Sequence, residues 1–533
     1  MWNDATTLGQ VHDIVAQRYG SRPCLSFEDR HWTFSEVQAE IDQTAKGLIL
    51  AGVAGGDHVC LWLGNCPEFV FAFYAIAKVG AVPVPINSRF RSTDMAYVLE
   101  QSDASTLILA GNDERTDYMA LLREVVAPGW APPPLNLERF PRLQRLIVIG
   151  GERAPDCLDW DDLRARAGSI SDRTLALRGS GVGGTDLAFI MYTSGTTGFP
   201  KGVMHNHRIL RSVFEVGVRL ATTPADTVVN YLPLFHIYAF YMALLLSPLT
   251  GVRHLLMSHF NPGEVLRLVE RERATMLHGF ELHFKELLDH PDFTRRDLSS
   301  LRAGMLGAGM RSAVDTARRF QTVMPTISGW GMTEVGVGLT TTFLDSPIET
   351  RTSKSGWAQY DCDVRIVDPD TRTVLSPGQM GEIECRGYCV TSGYYNKTVE
   401  TEALIDKAGW LRSGDTGILD EQGCLRFYGR FQDFIRVGGE NVDPAEVELL
   451  LLSHPMIEQA AAVAVPQARL GEVVAVFVRL STEGAMTAEA VIEYCHHHIA
   501  SFKVPREVHF LDEFPITETG KIKKSALSDY LIG

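Results

Sequence analysis

Residues 192–202, with the sequence YTSGTTGFPKG, combine glycines, hydroxylated side chains and one lysine directly after an apolar run. The glycines permit backbone conformations that a side chain would forbid, so this loop can close tightly around an anion. Backbone amides, hydroxyl groups and the ammonium of Lys201 would then donate hydrogen bonds to phosphate oxygens, and no carboxylate in the loop would repel them. The predicted phosphate loop contains Thr193, Ser194, Gly195, Thr196, Thr197 and Gly198.

The glycine spacing of this loop differs from that of a Walker loop, because only two residues separate Gly195 from Gly198 and no Ser or Thr follows Lys201. A surface loop rich in Gly, Ser and Thr is the ordinary alternative. The eleven-residue pattern that ends in Pro-Lys-Gly favours phosphate binding instead. The sequence therefore predicts a nucleotide chemistry other than that of the P-loop proteins.

Length, charge and cysteine usage limit the class of protein. A chain of 533 residues is too long for one compact core, so at least two domains are expected. The net charge of -15 argues against a nucleic-acid partner. Nine cysteines without a CxxC pair predict reduced thiols in a cytoplasmic protein, with neither a disulfide framework nor a zinc site. A homodimer remains an open expectation.

No basic segment followed by an apolar core begins the chain, so no signal peptide is predicted. The uncharged stretch 227–252 is interrupted by Pro233, His236 and Pro248. It therefore predicts a buried helix and no membrane span.

Alternating helix and strand patterns along the chain predict an α/β layered fold that positions the loop. Thr33 and Glu36 form a capping-box pattern before an amphipathic helix that Gly52 ends. Further helices are expected at 67–78, 93–101 and 207–220, and strands at 58–63, 82–84, 106–110 and 187–192. The proline-rich residues 127–139 indicate a surface loop. Short strands with turns over 356–429 predict a small β-barrel or sheet subdomain, and an α+β pattern follows Asp443.

With these motifs placed, the sequence resembles the adenylate-forming superfamily of acyl-CoA synthetases, stand-alone adenylation enzymes and luciferases. The resemblance covers nearly the whole chain. Besides the loop at 192–202, its markers are LPLFH (232–236), GWGMTE (329–334), GWLRSGD (409–415), GRFQDFIRVGGENVDPAEVE (429–448) and PITETGK (515–521). It implies a large multi-subdomain N-terminal domain, residues 1–431, with two α/β layered sheets, a small β-barrel and both the ATP and acyl sites. It also implies a small mobile α+β C-terminal domain, residues 432–533, with a hinge near Gln432.

The resemblance implies a two-step reaction with ATP, Mg²⁺ and CoA. A carboxylate attacks the α-phosphate to give acyl-AMP and pyrophosphate, and a thiol then displaces AMP. Extra negative charge develops at the α-phosphorus, so cations are needed there. The matching positions assign Lys521 as the lysine that bridges carboxylate and phosphate, Glu334 as the magnesium ligand and His236 as an aromatic gate.

Further positions match the nucleotide and thiol sites of the family. Trp330 stands where tyrosine is usual and could stack on adenine, whereas Asp415 and Arg430 match the ribose contacts. Ser413 replaces a common threonine, and Gln432 replaces the usual hinge aspartate or lysine. The other positions assigned to ATP or to the CoA tunnel are Lys201, Gly307, Gly331, Thr333, Arg436, Gly438, Gly439 and Glu440.

The acyl pocket is also assigned by resemblance. Amino-acid-activating relatives place an aspartate where His236 stands, so an α-amino acid is disfavoured. The assigned pocket is rich in apolar and aromatic side chains and predicts a medium-chain, alicyclic or aryl acid. Its residues are Tyr238, Phe240, Phe280, Glu281, Gly309, Met332 and Val337. Glu281 and His283 could pair with each other or contact a polar group of the substrate, and the sequence leaves both readings open.

The favoured activity is an ATP-dependent acid–CoA ligase. Two alternatives stay open: an adenylating enzyme that loads a carrier protein, and a nonenzymatic nucleotide-binding relative. A nonenzymatic relative could lose the groups that the reaction needs. This chain keeps them, which argues against the second alternative; they are Lys201, Glu334, Asp415 and Lys521.

Overall fold

The computed structural model describes residues 2, 4–111, 113, 115–126, 137–151, 157–193, 200–307, 314–430, 435–437, 440–467, 471–482, 486–499, 501–516 and 522–532. Most of the predicted surface loop at 127–139 lies outside the described residues, as do the core of the phosphate loop, the predicted hinge and Lys521.

Helices occur along the whole chain. They are α1 Val11–Tyr19, α2 Phe34–Leu50, α3 Pro67–Lys78, α4 Ser92–Gln101, α5 Tyr118–Val125, α6 Trp160–Ala165, α7 Asp172–Gly179, α8 Ile209–Arg219, α9 Ile237–Ala239, α10 Leu246–Thr250, α11 Pro262–Glu272, α12 Glu281–Asp289, α13 Val314–Phe320, α14 Ile348–Ser353, α15 Thr398–Leu404, α16 Pro444–Leu452, α17 Ala488–His498 and α18 Lys524–Ile532. A π-helical turn, Phe240–Leu245, joins α9 to α10.

Strands alternate with these helices. They are β1 Pro23–Phe27, β2 Arg30–Thr33, β3 His58–Trp62, β4 Val82–Pro85, β5 Thr106–Ala110, β6 Arg145–Ile149, β7 Leu158–Asp159, β8 Leu187–Thr193, β9 Lys201–Asn206, β10 Thr227–Asn230, β11 Arg253–Leu256, β12 Met276–Phe280, β13 Ala303–Gly307, β14 Thr326–Ile327, β15 Gly329–Met332, β16 Gly336–Thr341, β17 Trp357–Ala358, β18 Cys362–Val367, β19 Gly381–Gly387, β20 Gly393–Tyr394, β21 Leu411–Leu419, β22 Leu425–Arg430, β23 Ile435–Val437, β24 Glu440–Val442, β25 Ile457–Gln467, β26 Gly471–Leu480 and β27 Glu507–Phe510.

Two layered α/β sheets form the larger part of the molecule, as expected. One has the order β14-β13-β12-β10-β11-β1-β2 and is parallel except for the β1–β2 hairpin. The other, β4-β3-β5-β6-β7, is parallel throughout. Two antiparallel three-stranded sheets, β20-β9-β8 and β15-β16-β17, carry the ends of the phosphate loop and the start of the GWGMTE motif.

Residues 435–532 form a separate α+β unit with the sheet β24-β23-β26-β25, which β27 extends by pairing with β26. Its two apolar clusters draw their buried residues only from this part of the chain. The predicted helix start at Asp443 is confirmed, since the Asp443 side chain caps α16 by accepting from the amide of Ala445.

Several local predictions are confirmed. Thr33 and Glu36 form the capping box of α2, and α3 and β5 have the predicted bounds. In the described residues, no helix combines the length and the apolar character that crossing a membrane requires.

Two predictions need correction. The stretch 227–252 is not one helix, because it begins with β10 and becomes helical only from Ile237. A central strand that is buried on both faces is as continuously apolar as a buried helix, which explains the error. The expected β-barrel is an open four-stranded antiparallel sheet, β18-β19-β21-β22, in the described part of the chain.

Candidate active site

The predicted phosphate loop connects two antiparallel strands. β8 ends at Thr193 and β9 begins at Lys201, and these two residues are paired in register. The hairpin therefore holds the two ends of the loop together. Ser194, Gly195, Thr196, Thr197 and Gly198 lie outside the described residues, so their contact with phosphate stays a prediction.

Glu334 and Lys201 meet at one tyrosine. The hydroxyl of Tyr394 donates to Oε1 of Glu334 at 2.7 Å, and Nζ of Lys201 lies 5.0 Å from the centroid of the Tyr394 ring. Burial, followed by the charge of Glu334, raises the pKa of Tyr394, so the hydroxyl stays a donor. Sequence reasoning missed Tyr394, because it lies sixty residues from Glu334 along the chain and outside the motifs of the predicted site.

Glu334 fits a divalent cation. Its carboxylate is buried, with 7% of the residue exposed, and no Lys or Arg of the described segments forms an ion pair with it. A buried carboxylate is costly without a compensating charge. Carboxylate oxygen is a preferred ligand of Mg²⁺, and Tyr394 engages only one of the two oxygens.

Thr333, next to Glu334, is held from the opposite side by His205 on β9. The Nε2 atom of His205 donates to the main-chain oxygen of Thr333 at 2.6 Å. Burial lowers the pKa of His205 to about 4, so the ring is neutral near pH 7. Its ring also stacks on Phe189, with centroids 5.1 Å apart. His205 was not among the predicted site residues, and no motif marks it.

Asp415 joins three of the sequence motifs. Nε1 of Trp330 donates to Oδ2 of Asp415 at 2.7 Å, and Nε of Arg430 lies 3.0 Å from Oδ1. Asp415 and Arg430 are direct partners in the β21–β22 ladder. The structure thus brings together the residues that were assigned to adenine and ribose. The N–H of the Trp330 indole is engaged by Asp415. Stacking of the indole on adenine stays a prediction.

Ser413, at a position where the resemblance leads to an expectation of threonine, uses its hydroxyl for two hydrogen bonds. Its Oγ donates to the carbonyl of Ile383 at 2.6 Å and accepts from the amide of Asp415 at 3.0 Å. The replacement therefore keeps the backbone of Asp415 in place. Gly331 is equally constrained, because a Cβ there would lie 2.3 Å from the carbonyl oxygen of Gly336.

The carboxyl ends of β12 and β13 form the acyl side. Phe280 and Gly307 are paired at these ends, and ligands of open parallel sheets bind beyond this edge. A Cβ at Gly307 would lie 3.0 Å from the Phe280 ring. The ring of Phe280 packs on Tyr238, at 4.8 Å, and edge-on to His236, at 6.2 Å between centroids.

Tyr238 and His236 are fixed by hydrogen bonds. The Tyr238 hydroxyl lies 2.6 Å from the carbonyl oxygen of Met305 and 3.3 Å from that of Gly279. Nδ1 of His236 accepts from the amide of Tyr238 at 3.3 Å and so caps α9. The predicted gate and pocket residues His236, Tyr238 and Phe280 therefore form one aromatic cluster.

The remaining predicted pocket residues are placed differently. Phe240 is fully buried in the core between Phe73 and Phe189, with centroids at 5.0 and 4.6 Å. Val337 is buried and Met332 is half-buried near the Trp330 strand. Gly309 lies outside the described residues. Their contact with substrate stays a prediction.

His283 is committed to protein contacts. Its Nδ1 accepts from the amide of Phe280 at 3.3 Å, and its ring packs on Tyr231 and Phe260 at 5.3 and 4.8 Å. Burial lowers the pKa of His283 to about 4. A neutral ring cannot form an ion pair with a carboxylate, which weakens the reading that Glu281 pairs electrostatically with His283. Glu281 itself is half-buried at the first position of α12.

The predicted CoA tunnel falls on the β23–β24 hairpin. The backbones of Arg436 and Glu440 pair with Asn441 and Val437. Gly438, Gly439 and Lys521 lie outside the described residues. The role of this group stays a prediction.

Comparisons with known proteins place the chain in a family. Residues 13–395 match the AMP-binding enzyme family, and residues 446–521 match the AMP-binding enzyme C-terminal domain. A methyl-dioxo-octahydroindenyl-propanoyl:CoA ligase from Rhodococcus jostii is 32% identical, over 99% of each chain. The mitochondrial medium-chain acyl-CoA ligase ACSF2 of Mus musculus is 30% identical, over 99% of this chain and 88% of its own.

A similar solved structure is the o-succinylbenzoate CoA synthetase of Bacillus subtilis in complex with an acyl-adenylate intermediate. It has a TM-score of 0.79 and 26% identity, with 98% of each chain covered. The matched regions contain the phosphate-loop motif and the motifs LPLFH, GWGMTE and PITETGK, whereas Asp415 and Arg430 lie between the two regions. The chain therefore belongs to the AMP-binding enzyme family and is an adenylate-forming acyl-CoA synthetase.

Proposed function

We propose that this chain joins a medium-chain, alicyclic or aryl carboxylic acid to CoA. ATP first converts the acid to acyl-AMP with release of pyrophosphate, and the CoA thiol then displaces AMP to give the acyl-CoA. AMP is a far better leaving group than the oxide of a free carboxylate, which is the reason for the first step.

The observation that carries this proposal is the position of Tyr394 between Glu334 and Lys201 at the base of the phosphate loop. Tyr394 orients the carboxylate and lies under the ammonium of Lys201. The pair of opposite charges therefore lies at the end of the loop that we expect to bind the β- and γ-phosphates. Charges fixed in advance stabilise a reaction that develops negative charge on phosphate oxygens.

Asp415 would bind the ribose of ATP. Its carboxylate is held by Trp330 and Arg430 at 2.7 and 3.0 Å, and a carboxylate accepts hydrogen bonds from two neighbouring hydroxyls well. Lys521 would bring a mobile ammonium to the α-phosphate during adenylation. Both assignments come from the motif positions.

Glu334 would hold Mg²⁺, with water and phosphate oxygens as further ligands. The bound cation would offset the charge of the triphosphate. The buried carboxylate without a basic partner among the described residues supports this role.

An apolar acid is favoured by the aromatic cluster of His236, Tyr238 and Phe280. The relatives named above point the same way, because they are named for a medium-chain, an alicyclic and an aryl acid. His236 supplies no fixed negative charge for a substrate ammonium. An α-amino acid is accordingly a poor candidate.

We also propose that residues 432–533 act as the mobile domain, with the boundary at residue 431. The separate sheet and apolar clusters of residues 435–532 support this division. A domain with its own core can rotate without loss of its fold.

A pyrophosphate-release screen tests the function. Hexanoate, octanoate, cyclohexanecarboxylate, benzoate and several amino acids are supplied with ATP and Mg²⁺, with and without CoA, and thioesters are identified by mass spectrometry. We expect pyrophosphate release with apolar acids and acyl-CoA when CoA is added. Pyrophosphate release without any thioester, or a thioester formed only on a carrier protein, would contradict the assignment of CoA as acceptor.

A further inference from the structure

Two cysteine thiols face each other beside the nucleotide side of the site. The Sγ atoms of Cys362 and Cys389 lie 3.6 Å apart. Cys362 is the first residue of β18, and Cys389 lies in the loop between β19 and β20. Both are free thiols in the structure, and the adenylation reaction proposed above uses neither of them.

A glycine makes this approach possible. Cys362 is paired across the ladder with Gly387, and a Cβ at Gly387 would lie 2.5 Å from the Sγ of Cys362. Any larger residue at this position would therefore displace the thiol. The Cys362 thiol therefore lies beside the loop that follows β19, next to Cys389.

The two thiols differ in reactivity. A hydrogen bond with Cys389 lowers the pKa of Cys362, and the guanidinium of Arg211 adds to this effect. The same contact, together with burial, raises the pKa of Cys389. Cys362 is half-buried, whereas Cys389 is 1% exposed. Because the thiolate is the reactive form, Cys362 is the natural nucleophile and Cys389 the partner that resolves the intermediate.

The loop that carries Cys389 also holds Glu334. Two residues after Cys389, the amide of Thr391 donates to the main-chain oxygen of Glu334 at 2.7 Å. The hydroxyl of Thr391 donates to the carbonyl of Met204 on β9 at 2.6 Å. Tyr394, three residues further on, binds the Glu334 carboxylate. Hydrogen bonds therefore connect the residues that follow Cys389 to both the backbone and the carboxylate of Glu334.

We propose that Cys362 and Cys389 form a reversible disulfide that slows acyl-AMP formation by displacing residues 388–392. Two sulfur atoms in a disulfide are about 2.05 Å apart, so the loop or the start of β18 must move by roughly 1.5 Å. The activity part of this inference rests on the proposed role of Glu334. The disulfide itself does not.

The oxidant is a small-molecule disulfide, such as oxidised glutathione. The Cys362 thiolate attacks one sulfur of this disulfide, forms a mixed disulfide and releases one glutathione thiolate, which takes up a proton. The Cys389 thiol then loses its proton and attacks Sγ of Cys362, and the second glutathione leaves. The protein pair gives up two electrons and the small disulfide gains them, so the exchange is balanced.

The test uses the reduced full-length protein treated with oxidised glutathione and then freed of it. We expect the thiol count of the denatured protein to fall from nine to seven, since one disulfide consumes two of the nine cysteines. Peptide mapping should find the Cys362–Cys389 cross-link. Pyrophosphate release should decrease, and dithiothreitol should restore it.

Two variants sharpen the result. Cys362→Ser should show neither the cross-link nor the loss of pyrophosphate release, whereas Cys157→Ser, which removes a half-buried thiol elsewhere, should respond as the parent protein does. Nine remaining thiols, or a cross-link that uses the neighbouring Cys385, would overturn the disulfide. A Cys362–Cys389 disulfide with unchanged pyrophosphate release would overturn its regulatory effect.

A readout independent of catalysis separates this inference from the proposed function. The amide of Thr391 is hydrogen-bonded to Glu334 in the reduced protein, so its hydrogen exchange should quicken in the disulfide form. If no acid gives pyrophosphate, faster exchange at Thr391 still supports the loop displacement, and unchanged exchange overturns it.

Discussion

The nucleotide side and the acyl side of the site are held in place by different forces. Around Glu334 and Asp415, buried carboxylates are held by hydrogen bonds of 2.7 Å from Tyr394 and Trp330 and by an ion pair with Arg430 at 3.0 Å. Around Phe280, aromatic rings pack on each other, and Tyr238 hydrogen-bonds to backbone carbonyls. The nucleotide side offers charged groups for a ligand to bind, whereas the acyl side offers an apolar surface of defined shape.

This difference predicts how substitutions act. Directional bonds to a charge are lost completely when one partner is removed, and the cost falls on every substrate that needs the charge. Packed rings adapt to a changed neighbour, so their substitution mainly changes which acid fits. Changes on the nucleotide side should therefore alter the rate for all acids, and changes on the acyl side should alter the preference among them.

Lys521→Ala should have the largest effect, because it removes the cation that we assign to the α-phosphate. We expect acyl-AMP formation to fall by about 10²–10³-fold, as for the loss of one preorganised group that stabilises transition-state charge. Transfer of the acyl group from supplied acyl-AMP to CoA should change little. Single-turnover assays of the two half-reactions measure both rates, and an equal loss in both would remove Lys521 from the adenylation step.

Asp415→Asn comes next. It keeps the shape of the side chain but removes the charge that Trp330 and Arg430 hold. A hydrogen bond to a charged group contributes about 1.5–3 kcal/mol, so the KM for ATP should rise roughly 10- to 100-fold. The ratio of kcat/KM values for hexanoate and benzoate should stay the same. A changed ratio would contradict the separation of the two regions.

The stability of the acyl side should depend on pH through His283. Burial lowers its pKa from 6.5 to about 4, so below pH 6.5 the unfolded chain takes up a proton that the folded chain does not. The free energy of unfolding is therefore lost as the pH falls from 6.5 towards 4. Between pH 7 and pH 5, this residue should lower the free energy of unfolding by about 2 kcal/mol.

His283→Phe removes this contribution. Between pH 7 and pH 5, the free energy of unfolding of the variant should therefore fall by about 2 kcal/mol less than that of the parent protein. Urea denaturation at the two pH values measures the difference. His496→Phe, on the exposed end of α17, is the matched control and should behave as the parent does. Equal losses in parent and His283→Phe would show that His283 is not kept neutral by the fold.

Local signals explain why much of the fold could be predicted. The capping box at Thr33 and the proline at the start of α3 act within a few residues, and both helices begin where the sequence places them. The stretch 227–252 was misjudged because β10 lies between β11 and β12 in the sheet interior. Only its neighbours, which are distant in sequence, distinguish such a strand from a buried helix.

The same limit applies to the site. Asp415, Arg430 and Trp330 lie in motifs whose residue types indicate their chemistry, and the structure joins them. Tyr394 and His205 lie in no such motif, because their roles come from strand pairings across long stretches of chain. The aromatic cluster at Phe280 depends on the register of β12 and β13 and could only be expected in outline.

Tyr394→Phe is a smaller change on the nucleotide side than Asp415→Asn. The ring under Lys201 remains, but the 2.7 Å hydrogen bond to Glu334 is lost. We expect kcat for pyrophosphate release to fall roughly 10-fold for every acid, since a hydrogen bond to a charged group contributes at least about 1.5 kcal/mol. The Mg²⁺ concentration for half-maximal rate should rise as well.

Tyr395→Phe is the matched control for this change. The hydroxyl of this adjacent tyrosine donates to Asp103 at 3.0 Å, and in the described part of the chain it forms no hydrogen bond with Glu334. Its variant should keep the parent rate and the parent Mg²⁺ dependence. The same loss in both variants would indicate a general effect on β20 and would remove the specific role of Tyr394.

Glu281→Leu should have the smallest effect and should appear only as a change of preference. Glu281 begins α12 beside Phe280 and is half-buried, while the neutral His283 is engaged by the amide of Phe280. If the carboxylate faces a polar group of the substrate, its loss should reduce kcat/KM for hydroxylated acids by about two- to threefold relative to hexanoate and benzoate. The KM for ATP should not change, since the nucleotide side is untouched. A uniform loss with all acids would show that Glu281 stabilises α12 and does not contact the substrate. The acyl pocket would then be formed by the aromatic side chains around Phe280.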